Sequence, residues 1–268
     1  MSRVTWILEA EVFPQSHSAM CDAVRAAQCE LLIWNDDWLS GDRPDLNDRS
    51  VVFHGSLGNA STIRSSFTWK PGAFCETERF ACSAWYEQAK NFLLYKHWRI
   101  LPANELISSS HAIAASLGAT DQVFVRPDSP LKPFSGRVIR VDSLSLRALD
   151  FGFYFDDETL PVVVAPVRAI SREWRYVVAN GTVVAGSAYA AVGRIALPDS
   201  PQRESWQFAE RVAQSIPAPE SSYVLDVCES EGRMHVLELN PFSGADLYAC
   251  DRSAVVNAVS KLARETAG

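Results

Sequence analysis

The chain has 268 residues, of which 47% are hydrophobic and 21% are charged, and its formal net charge at pH 7 is −7. This length is sufficient to bury a large core and predicts a division into two lobes. The acidic balance argues against a basic surface that binds nucleic acid. No apolar stretch approaches the roughly 18 residues that span a bilayer, so we expect no membrane association.

The six cysteines are scattered along the chain without a CxxC spacing. Most lie in apolar surroundings, so we expect packed, reduced thiols and neither disulfides nor a thiolate metal site. This cysteine usage, together with the absence of a secretion signal behind Met1-Ser2-Arg3, predicts a cytoplasmic protein.

The first hundred residues alternate short apolar runs with helical periodicity. The predicted strands lie at residues 4–8, 31–34 and 50–54, and the predicted helices at residues 16–28 and 78–97. This alternation is typical of a βαβ arrangement and predicts an α/β domain. We place its boundary near Leu101-Pro102, so that the first domain covers residues 1–102 and the second covers residues 103–268.

Strands dominate the second domain after a helix at residues 111–117. The predicted strands lie at residues 122–126, 160–170, 173–178 and 182–189. The last two flank Asn180-Gly181, a dipeptide typical of tight hairpins. Amphipathic helices at residues 205–215 and 251–266 are expected to back the sheet, which gives an α+β class for the whole chain.

A second hairpin is predicted near the carboxyl end, from the apolar strand that contains Asp226 to the strand Leu237-Glu238-Leu239-Asn240. Side chains two apart on a strand share a face, and a register that opposes Asp226 to Glu238 adds Asn240 to that face. Three hard oxygen donors in this arrangement suit Mg²⁺. The structural alternative is a polar face of the hairpin that meets solvent.

Cationic side chains precede this hairpin. Arg126 and Lys132 flank a loop with three prolines, and strand alternation places Glu173 and Arg175 on one face. Phosphates need cationic donors, and ribose hydroxyls need an acceptor. The sequence contains no GxxxxGK[ST] loop, no GxGxxG and no protein-kinase catalytic loop, so any ATP site must use another architecture. A solvated loop and a surface ion pair are the structural alternatives.

In this order, these residues resemble an ATP-grasp domain of the carboxylate-amine ligase-like superfamily, in the clade marked by two arginines and a lysine. The landmarks are Phe124-Val125-Arg126-Pro127, Lys132-Pro133-Phe134-Ser135-Gly136, Ser171-Arg172-Glu173-Trp174-Arg175, Asp226 and Leu237-Glu238-Leu239-Asn240-Pro241. The resemblance implies an ATP-grasp fold in which two small α+β subdomains, residues 103–162 and 163–268, clasp ATP. It also implies a preceding Rossmann-like domain, the pre-ATP-grasp domain.

The resemblance implies the following roles. Backbone groups of Ala165 and Val167 meet the adenine, while Arg126, Lys132, Glu173 and Arg175 contact the rest of the nucleotide. Asp226, Glu238 and Asn240 hold Mg²⁺. Many family ligases carry an arginine two positions before the aspartate, where this chain has Val224. Catalytic stabilisation is therefore expected from Arg175, Arg194 and Lys132.

The resemblance also implies an acceptor site in the loop after the last strand, where Ser243, Gly244 and Asp246 are the expected substrate-binding residues. The turn at His54-Gly55-Ser56-Leu57-Gly58 is expected to line the same site between the domains. The implied activity is ATP-dependent, Mg²⁺-dependent amide formation through an acyl phosphate. A regulatory ATP-binding module and a phosphotransferase are the alternatives. The sequence does not identify the substrates, which are small molecules or peptides. It does not identify the oligomeric state either, and a homo-oligomer is one possibility.

Overall fold

We describe a computed structural model of the chain, which covers residues 3–150, 157–190, 195–196 and 202–267. Within these residues the strands form three sheets. No helix among them has both the length and the apolar character needed to cross a membrane. All six cysteines are free thiols, and five of them are buried.

The first sheet is parallel and has the order β2-β1-β3-β4. Its strands are β1 (Val4–Leu8), β2 (Glu30–Ile33), β3 (Ser50–His54) and β4 (Lys70–Gly72). The helices α1 (Pro14–Ala26) and α2 (Leu57–Ser66) follow β1 and β3. The predicted strands and the first predicted helix are therefore confirmed to within a few residues. Strands β1 and β3 are buried along their whole length, which is typical of continuous apolar runs.

The predicted helix at residues 78–97 is wrong in its second half. The structure has the short helices α3 (Thr77–Phe80) and α4 (Cys82–Ala89), after which the chain runs irregularly to β5 (Arg99–Pro102). Leu94 N–H donates to Val236 O at 3.0 Å, and Val236 N–H donates to Phe92 O at 2.7 Å. The backbone of this segment leaves the helix because it pairs with a strand of the third sheet, which helical periodicity does not reveal.

The second sheet is antiparallel and has the order β5-β8-β6-β7, where β6 is Gln122–Pro127, β7 is Arg137–Arg140 and β8 is Pro161–Pro166. The helices α5 (Ala103–Ser108), α6 (Ser110–Ser116) and α7 (Leu146–Asp150) belong to the same part of the chain. Strands β5 and β8 pair within this sheet. The predicted boundaries lie near residues 102 and 162, which are at the end of β5 and within β8. Both boundaries therefore fall in the second sheet, where these two strands pair although they are about 60 residues apart in sequence.

The third sheet has the order β11-β10-β9-β12-β13. Its strands are β9 (Arg172–Ala179), β10 (Thr182–Ala190), β11 (Ile195–Ala196), β12 (Ser222–Ser230) and β13 (Arg233–Pro241). Asn180 and Gly181 have φ values of 50° and 71°, which are typical of the predicted two-residue hairpin turn. Helix α8 (Arg203–Ser215) covers one face of this sheet through Phe208 and Val212, which join the same apolar cluster as Tyr176 and Leu225.

The last helix, α9 (Arg252–Ala267), joins the first domain to the third sheet. Val255, Val256 and Val259 are buried in one apolar cluster with Trp6 of β1 and Val224 of β12. The Trp6 indole also donates to Ser260 Oγ at 2.9 Å. The carboxyl end of the chain therefore packs on its beginning, and the loop between β13 and α9 is held at both ends.

Candidate active site

A cavity of about 270 Å³ lies between the second and third sheets, and we call it the central cavity. The sequence-predicted residues that line it are Arg126, Lys132, Glu173, Arg175, Asp226 and Glu238. They come from β6, the loop after β6, and strands β9, β12 and β13. Strands of two different sheets thus bring six of the predicted side chains to one place.

Glu238 is the centre of the cationic cluster. The Arg126 guanidinium forms an ion pair with Glu238 Oε1, and Lys132 Nζ lies 2.8 Å from the same oxygen. Burial alone would raise the pKa of Glu238, but Arg126 and Lys132 outweigh burial and hold this pKa well below its ordinary value. The carboxylate is therefore ionised at neutral pH, although its side chain is only 14% exposed.

The predicted register of the second hairpin is confirmed, because Asp226 lies opposite Glu238 and Val224 lies opposite Asn240. Asn240 Nδ2 donates to Asp226 Oδ2 at 3.0 Å, so the amide and both carboxylates lie on one face. A register shift follows between Asp226 and Val227, where the pairing moves by one residue. This irregularity lies beyond the three polar side chains and leaves their common face intact.

These oxygen donors fit Mg²⁺ in type and placement. Lys132 Nζ donates to Glu238 Oε2 and to Asn240 Oδ1, both at 2.9 Å, so a positive charge already lies where the two oxygens converge. Among the described residues no group of three or more His, Cys, Asp or Glu side chains is placed to bind a metal. A set of two carboxylates and one amide is nevertheless ordinary for Mg²⁺, which takes its other ligands from water and phosphate.

Arg175 forms a bidentate ion pair with Asp226. Its Nε and Nη2 donate to the two carboxylate oxygens at 2.8 and 2.7 Å, and its Nη1 donates to Asp246 O at 2.8 Å. Burial disfavours the charge, but Asp226 outweighs burial and raises the pKa of Arg175. The guanidinium also lies 4.9 Å from the ring centre of Tyr248 and 5.6 Å from that of Tyr189. Arg175 therefore joins the predicted metal ligands to the loop after β13.

The loop that carries Lys132 is anchored on the side facing α4. Ser83 donates to Asp128 through its N–H and through its hydroxyl, both at 2.7 Å. Lys132 itself has φ of +50°, a left-handed conformation that is uncommon for a residue with a side chain. The first half of the loop is thus fixed, and a turn at its end directs Lys132 into the central cavity.

The departure at Val224 has a structural explanation. Val224 is fully buried in the apolar cluster that joins β12 to α9. Arg175 lies on the neighbouring strand β9, opposite Asp226, and shares the face of Val224. The guanidinium of Arg175 therefore lies beside Asp226, where the family arginine at position 224 is replaced by valine. Arg194, the other predicted catalytic arginine, lies outside the described residues.

The two predicted adenine-binding residues do not line the central cavity. Ala165 is buried on β8, where Phe124 of β6 lies opposite it, and Val167 follows the strand with 39% of its surface exposed. Ala165 packs with Tyr95, whose side chain does line the cavity. The proposed contacts from the backbone of residues 165 and 167 stay a prediction.

The predicted role of Ser243 needs correction. Ser243 is fully buried, its hydroxyl accepts from Phe74 N–H at 2.9 Å, and its carbonyl accepts from Gly55 N–H at 2.9 Å. The hydroxyl is therefore used at the contact with the first domain and does not face a substrate. Gly244 and Asp246, in contrast, line a cavity together with Lys132 and Asn240. Leu57, from the turn that follows β3, lines it as well.

Gly244→Ala is expected to destabilise the protein by about 1–3 kcal/mol, because an added Cβ lies 2.9 Å from Leu57 Cα and 2.5 Å from Leu57 Cδ1. Gly58→Ala is the matched control, since a Cβ at position 58 on α2 meets nothing within 4 Å and alanine favours a helix. Urea unfolding measures both variants. A Gly244→Ala protein as stable as the control would contradict the close packing of the loop against α2.

Sequence reasoning missed the aromatic walls of the central cavity. Tyr95, Phe124, Tyr189 and Tyr248 all line it. The Tyr95 and Phe124 rings stack at 5.1 Å, and the Tyr189 and Tyr248 rings stack at 4.8 Å. Phe124 shares the face of Arg126 by strand alternation, which is a signal in the sequence. The other three side chains reach the cavity only through tertiary contacts.

Comparison with solved structures shows what this fold is similar to. The ATP-grasp ligase PsnB, complexed with a phosphomimetic variant of minimal precursor, Mg and ADP, is 12% identical, with coverage of 98% of this chain and 99% of that chain and a TM-score of 0.62. D-cycloserine synthetase DcsG is 12% identical, with coverage of 97% and 99% and a TM-score of 0.64. D-alanine–D-alanine ligase from Bacillus anthracis, complexed with ATP, is 14% identical, with coverage of 100% and 97% and a TM-score of 0.61. At these identities the likeness shows the fold.

Two sequence comparisons complete the assignment. No curated protein matches the chain. The sequence model of the ATP-grasp domain, family 2 of the clade marked by two arginines and a lysine, matches residues 106–258, which is more than half of the chain and includes all the landmarks from Phe124 to Pro241. The resemblance drawn from those landmarks is thereby confirmed, and the chain belongs to this two-arginine, one-lysine clade of ATP-grasp proteins.

Proposed function

We propose that the protein is an ATP-dependent, ADP-forming carboxylate–amine ligase that uses Mg²⁺ and forms an amide through an acyl phosphate. The observation that carries this proposal is the convergence of three cations with three oxygen donors in one region between two sheets. Arg126, Lys132 and Arg175 are each within hydrogen-bond distance of Asp226 or Glu238. The ATP-grasp membership and the likeness to ATP-grasp ligases support the same function.

ATP binds in the central cavity in this proposal. Tyr95, Phe124 and Leu237 provide apolar wall for the adenine, and the backbone at Ala165 and Val167 provides its hydrogen bonds. Glu173 contacts the nucleotide, while Arg126 and Lys132 bind phosphate oxygens. These contacts replace the ion pairs that both cations form with Glu238 in the structure.

Asp226, Glu238 and Asn240 would hold Mg²⁺. When bound, it would supply positive charge to the transferring phosphoryl group. Lys132, which in the structure contacts Glu238 Oε2 and Asn240 Oδ1, would then be available to the phosphates.

In the reaction, a substrate carboxylate oxygen attacks the γ-phosphorus of ATP, and the bond to ADP breaks. The amine nitrogen then attacks the carbonyl carbon of the acyl phosphate, and phosphate leaves. The products are an amide, ADP, phosphate and a proton. Arg175, Lys132 and Arg194 stabilise the developing negative charge, and Gly244 and Asp246 contact the acceptor. No side-chain nucleophile is required, since positioning and fixed charge supply the catalysis.

Glu238→Gln is expected to lower ADP release by about 10²–10³-fold, because it removes charge that orders both the cations and the metal. The assay follows ADP across a panel of carboxylates with amines, and mass spectrometry identifies the product. Glu87→Gln is the matched control, since Glu87 lies exposed on α4 and pairs only at 3.8 Å with Lys90.

Three outcomes would contradict the proposal. Equal ADP release by wild type and Glu238→Gln would refute the metal assignment. A stable phosphorylated product in place of a condensed product would indicate a phosphotransferase. Thermal stabilisation by Mg·ATP without any product across the panel would indicate a regulatory binding module.

A further inference from the structure

Two further cavities lead away from the central cavity, between the first domain and the loop after β13. The middle cavity, of about 330 Å³, is lined by Lys132, Arg175 and Asn240. The outer cavity, of about 350 Å³, is lined by residues 12–16 of the first domain. Both of them are lined by Val12, Phe13, Asp246 and Tyr248. The three cavities therefore form a series that runs from the nucleotide site to the contact between the domains.

The middle and outer cavities differ in charge. The middle cavity has two cations, Lys132 and Arg175, on its wall beside Asp246, so cations outnumber carboxylates there. In the outer cavity, Asp246 is the one Asp, Glu, Lys, Arg or His on the wall, and every lining residue is among those the structure describes. A carboxylate is therefore favoured in the middle cavity, and an ammonium group is favoured beside Asp246 in the outer cavity.

Tyr248 lies at the junction, since it lines all three cavities. Its backbone is left-handed, with φ of 46°, and its N–H donates to Asp246 Oδ1 at 2.9 Å. The guanidinium of Arg252 donates to three carbonyls of this loop: to Leu247 O at 3.2 Å, to Cys250 O at 2.8 Å and to Tyr248 O. The backbone at Tyr248 is therefore fixed, and its ring stacks on that of Tyr189.

The facing wall of the outer cavity belongs to the first domain. Phe13 lines the cavity, and its ring centre lies 5.1 Å from that of His54. His54 Nε2 donates to Ala245 O at 3.0 Å, so the ring that supports Phe13 is tied to the same loop that carries Asp246. Val12 and Pro14 add further apolar surface. Two aromatic rings and one carboxylate thus line a cavity that is otherwise largely uncharged.

We propose that the outer cavity binds the acceptor of the ligase, and that this acceptor is an amine attached to an aromatic or aliphatic group. Asp246 binds the amine, and the rings of Phe13 and Tyr248 pack on the apolar group. The identification of this amine as the acceptor rests on the proposed function. The selectivity for an apolar amine over the corresponding carboxylate follows from the lining of the cavity itself.

The test uses phenethylamine and phenylacetate, which share a ring and differ in charge, as probes of the full-length chain. NMR titration of each probe, without nucleotide and with Mg²⁺ and a non-hydrolysable ATP analogue, gives the dissociation constants. We expect phenethylamine to bind at least about tenfold more tightly than phenylacetate, a preference of about 1.4 kcal/mol. Equal binding of the two probes, or binding of neither, would overturn the proposal.

Variants test the three proposed contacts. Asp246→Asn and Tyr248→Ala are each expected to weaken phenethylamine binding about tenfold, whereas Tyr248→Phe retains it. Phe13→Leu serves as the second variant if Tyr248→Ala does not fold. Asp22→Asn is the matched control, because Asp22 lies exposed on α1 and pairs with Arg25 on the same helix. Unchanged binding by Asp246→Asn would overturn the proposal.

The same samples separate this inference from the proposed function. Stabilisation by Mg²⁺ with the ATP analogue reports on the central cavity alone. If the analogue does not bind but the amine preference holds and depends on Asp246, the proposed ligase activity fails while the outer site stands. If the analogue binds and the amine preference is absent, the outer site is refuted while the proposed ligase activity stands.

Discussion

Arg175→Met is expected to cost about 3–5 kcal/mol of unfolding free energy and to abolish turnover. Asp226 is 1% exposed, and both of its carboxylate oxygens accept from the Arg175 guanidinium. Removal of one partner from a buried pair leaves an uncompensated charge, which costs far more than the pair itself contributes. The loss of turnover has two other causes, because Arg175 is proposed to stabilise the developing negative charge and also supports the loop through Asp246 O.

A double variant separates stability from activity. Arg175→Met combined with Asp226→Asn removes both charges, and the amide at position 226 retains an acceptor for Asn240 Nδ2. We expect the double variant to recover most of the lost stability and to stay inactive. The matched control is Arg168→Met, whose pair with Glu231 is exposed and separated by 3.5 Å, and which should cost no more than about 1 kcal/mol.

Urea unfolding measures the four free energies of the cycle, and ADP release measures turnover. If Arg175→Met were as stable as Arg168→Met, the buried ion pair would not be the strong contact that the geometry indicates. Full activity in the double variant would remove Arg175 and Asp226 from the catalytic site. A stable but inactive double variant is the result that supports both roles.

The second large effect is a pair of opposite pH dependences at the contact between the domains. Burial lowers the pKa of His54 to about 4 from the ordinary 6.5, despite the hydrogen bond to Ala245 O. Burial raises the pKa of Glu220 to about 7 from the ordinary 4.5, despite the N–H of Glu76 and the charge of Arg64. Each shift corresponds to about 3 kcal/mol of stability between its two pKa values.

The signs follow from which state binds the proton. Between pH 6.5 and 4 the unfolded chain protonates His54 and the folded chain does not, so stability falls as pH falls. Between pH 4.5 and 7 the folded chain keeps Glu220 protonated and the unfolded chain does not, so stability falls as pH rises. The two contributions largely offset each other in the wild type.

Each variant removes one of these contributions. The free-energy difference between wild type and His54→Gln should change by about 3 kcal/mol between pH 6.5 and 4, in the direction that favours the variant at low pH. The free-energy difference between wild type and Glu220→Gln should change by a similar amount between pH 4.5 and 7, in the direction that favours the variant at high pH. His111→Gln is the control, since His111 is exposed beside Asp142. Parallel curves for wild type and both variants would show that neither group is perturbed.

The sequence predicted the elements that depend on local pattern. The parity of Glu238 and Asn240 and the run of β-branched residues around Asp226 were sufficient to predict a hairpin with a shared polar face, because strand alternation has a fixed period of two. The Asn180-Gly181 turn was predicted on the same basis, since its φ angles restrict the residues that fit.

What the sequence did not reveal depends on tertiary contacts. Phe92 and Leu94 look helical in sequence, but their backbone pairs with Val236. Ser243 looks like an exposed loop hydroxyl, but Phe74 of the first domain covers it. Tyr189 and Tyr248 are far apart in sequence and stack only because the loop after β13 returns over β10. None of these contacts has a periodic signal.

The way α9 closes the molecule determines which part of it can open. Trp6 of β1, Val224 of β12 and Val256 of α9 share one apolar cluster, so a separation of the first domain from the third sheet would expose that cluster to water. One face of the second sheet packs on its own helices. The other face meets the third sheet through the ion pairs of Arg126 and Lys132 with Glu238 and through the buried apolar contacts of Val163 and Ala165. Ionic contacts can be exchanged for those of an incoming polyphosphate at little net loss. The apolar contacts of Val163 and Ala165 cannot be exchanged in this way. We therefore expect the contact between the two sheets to loosen at the two cations and not along the whole second sheet, while the acceptor loop stays with the first domain and the third sheet.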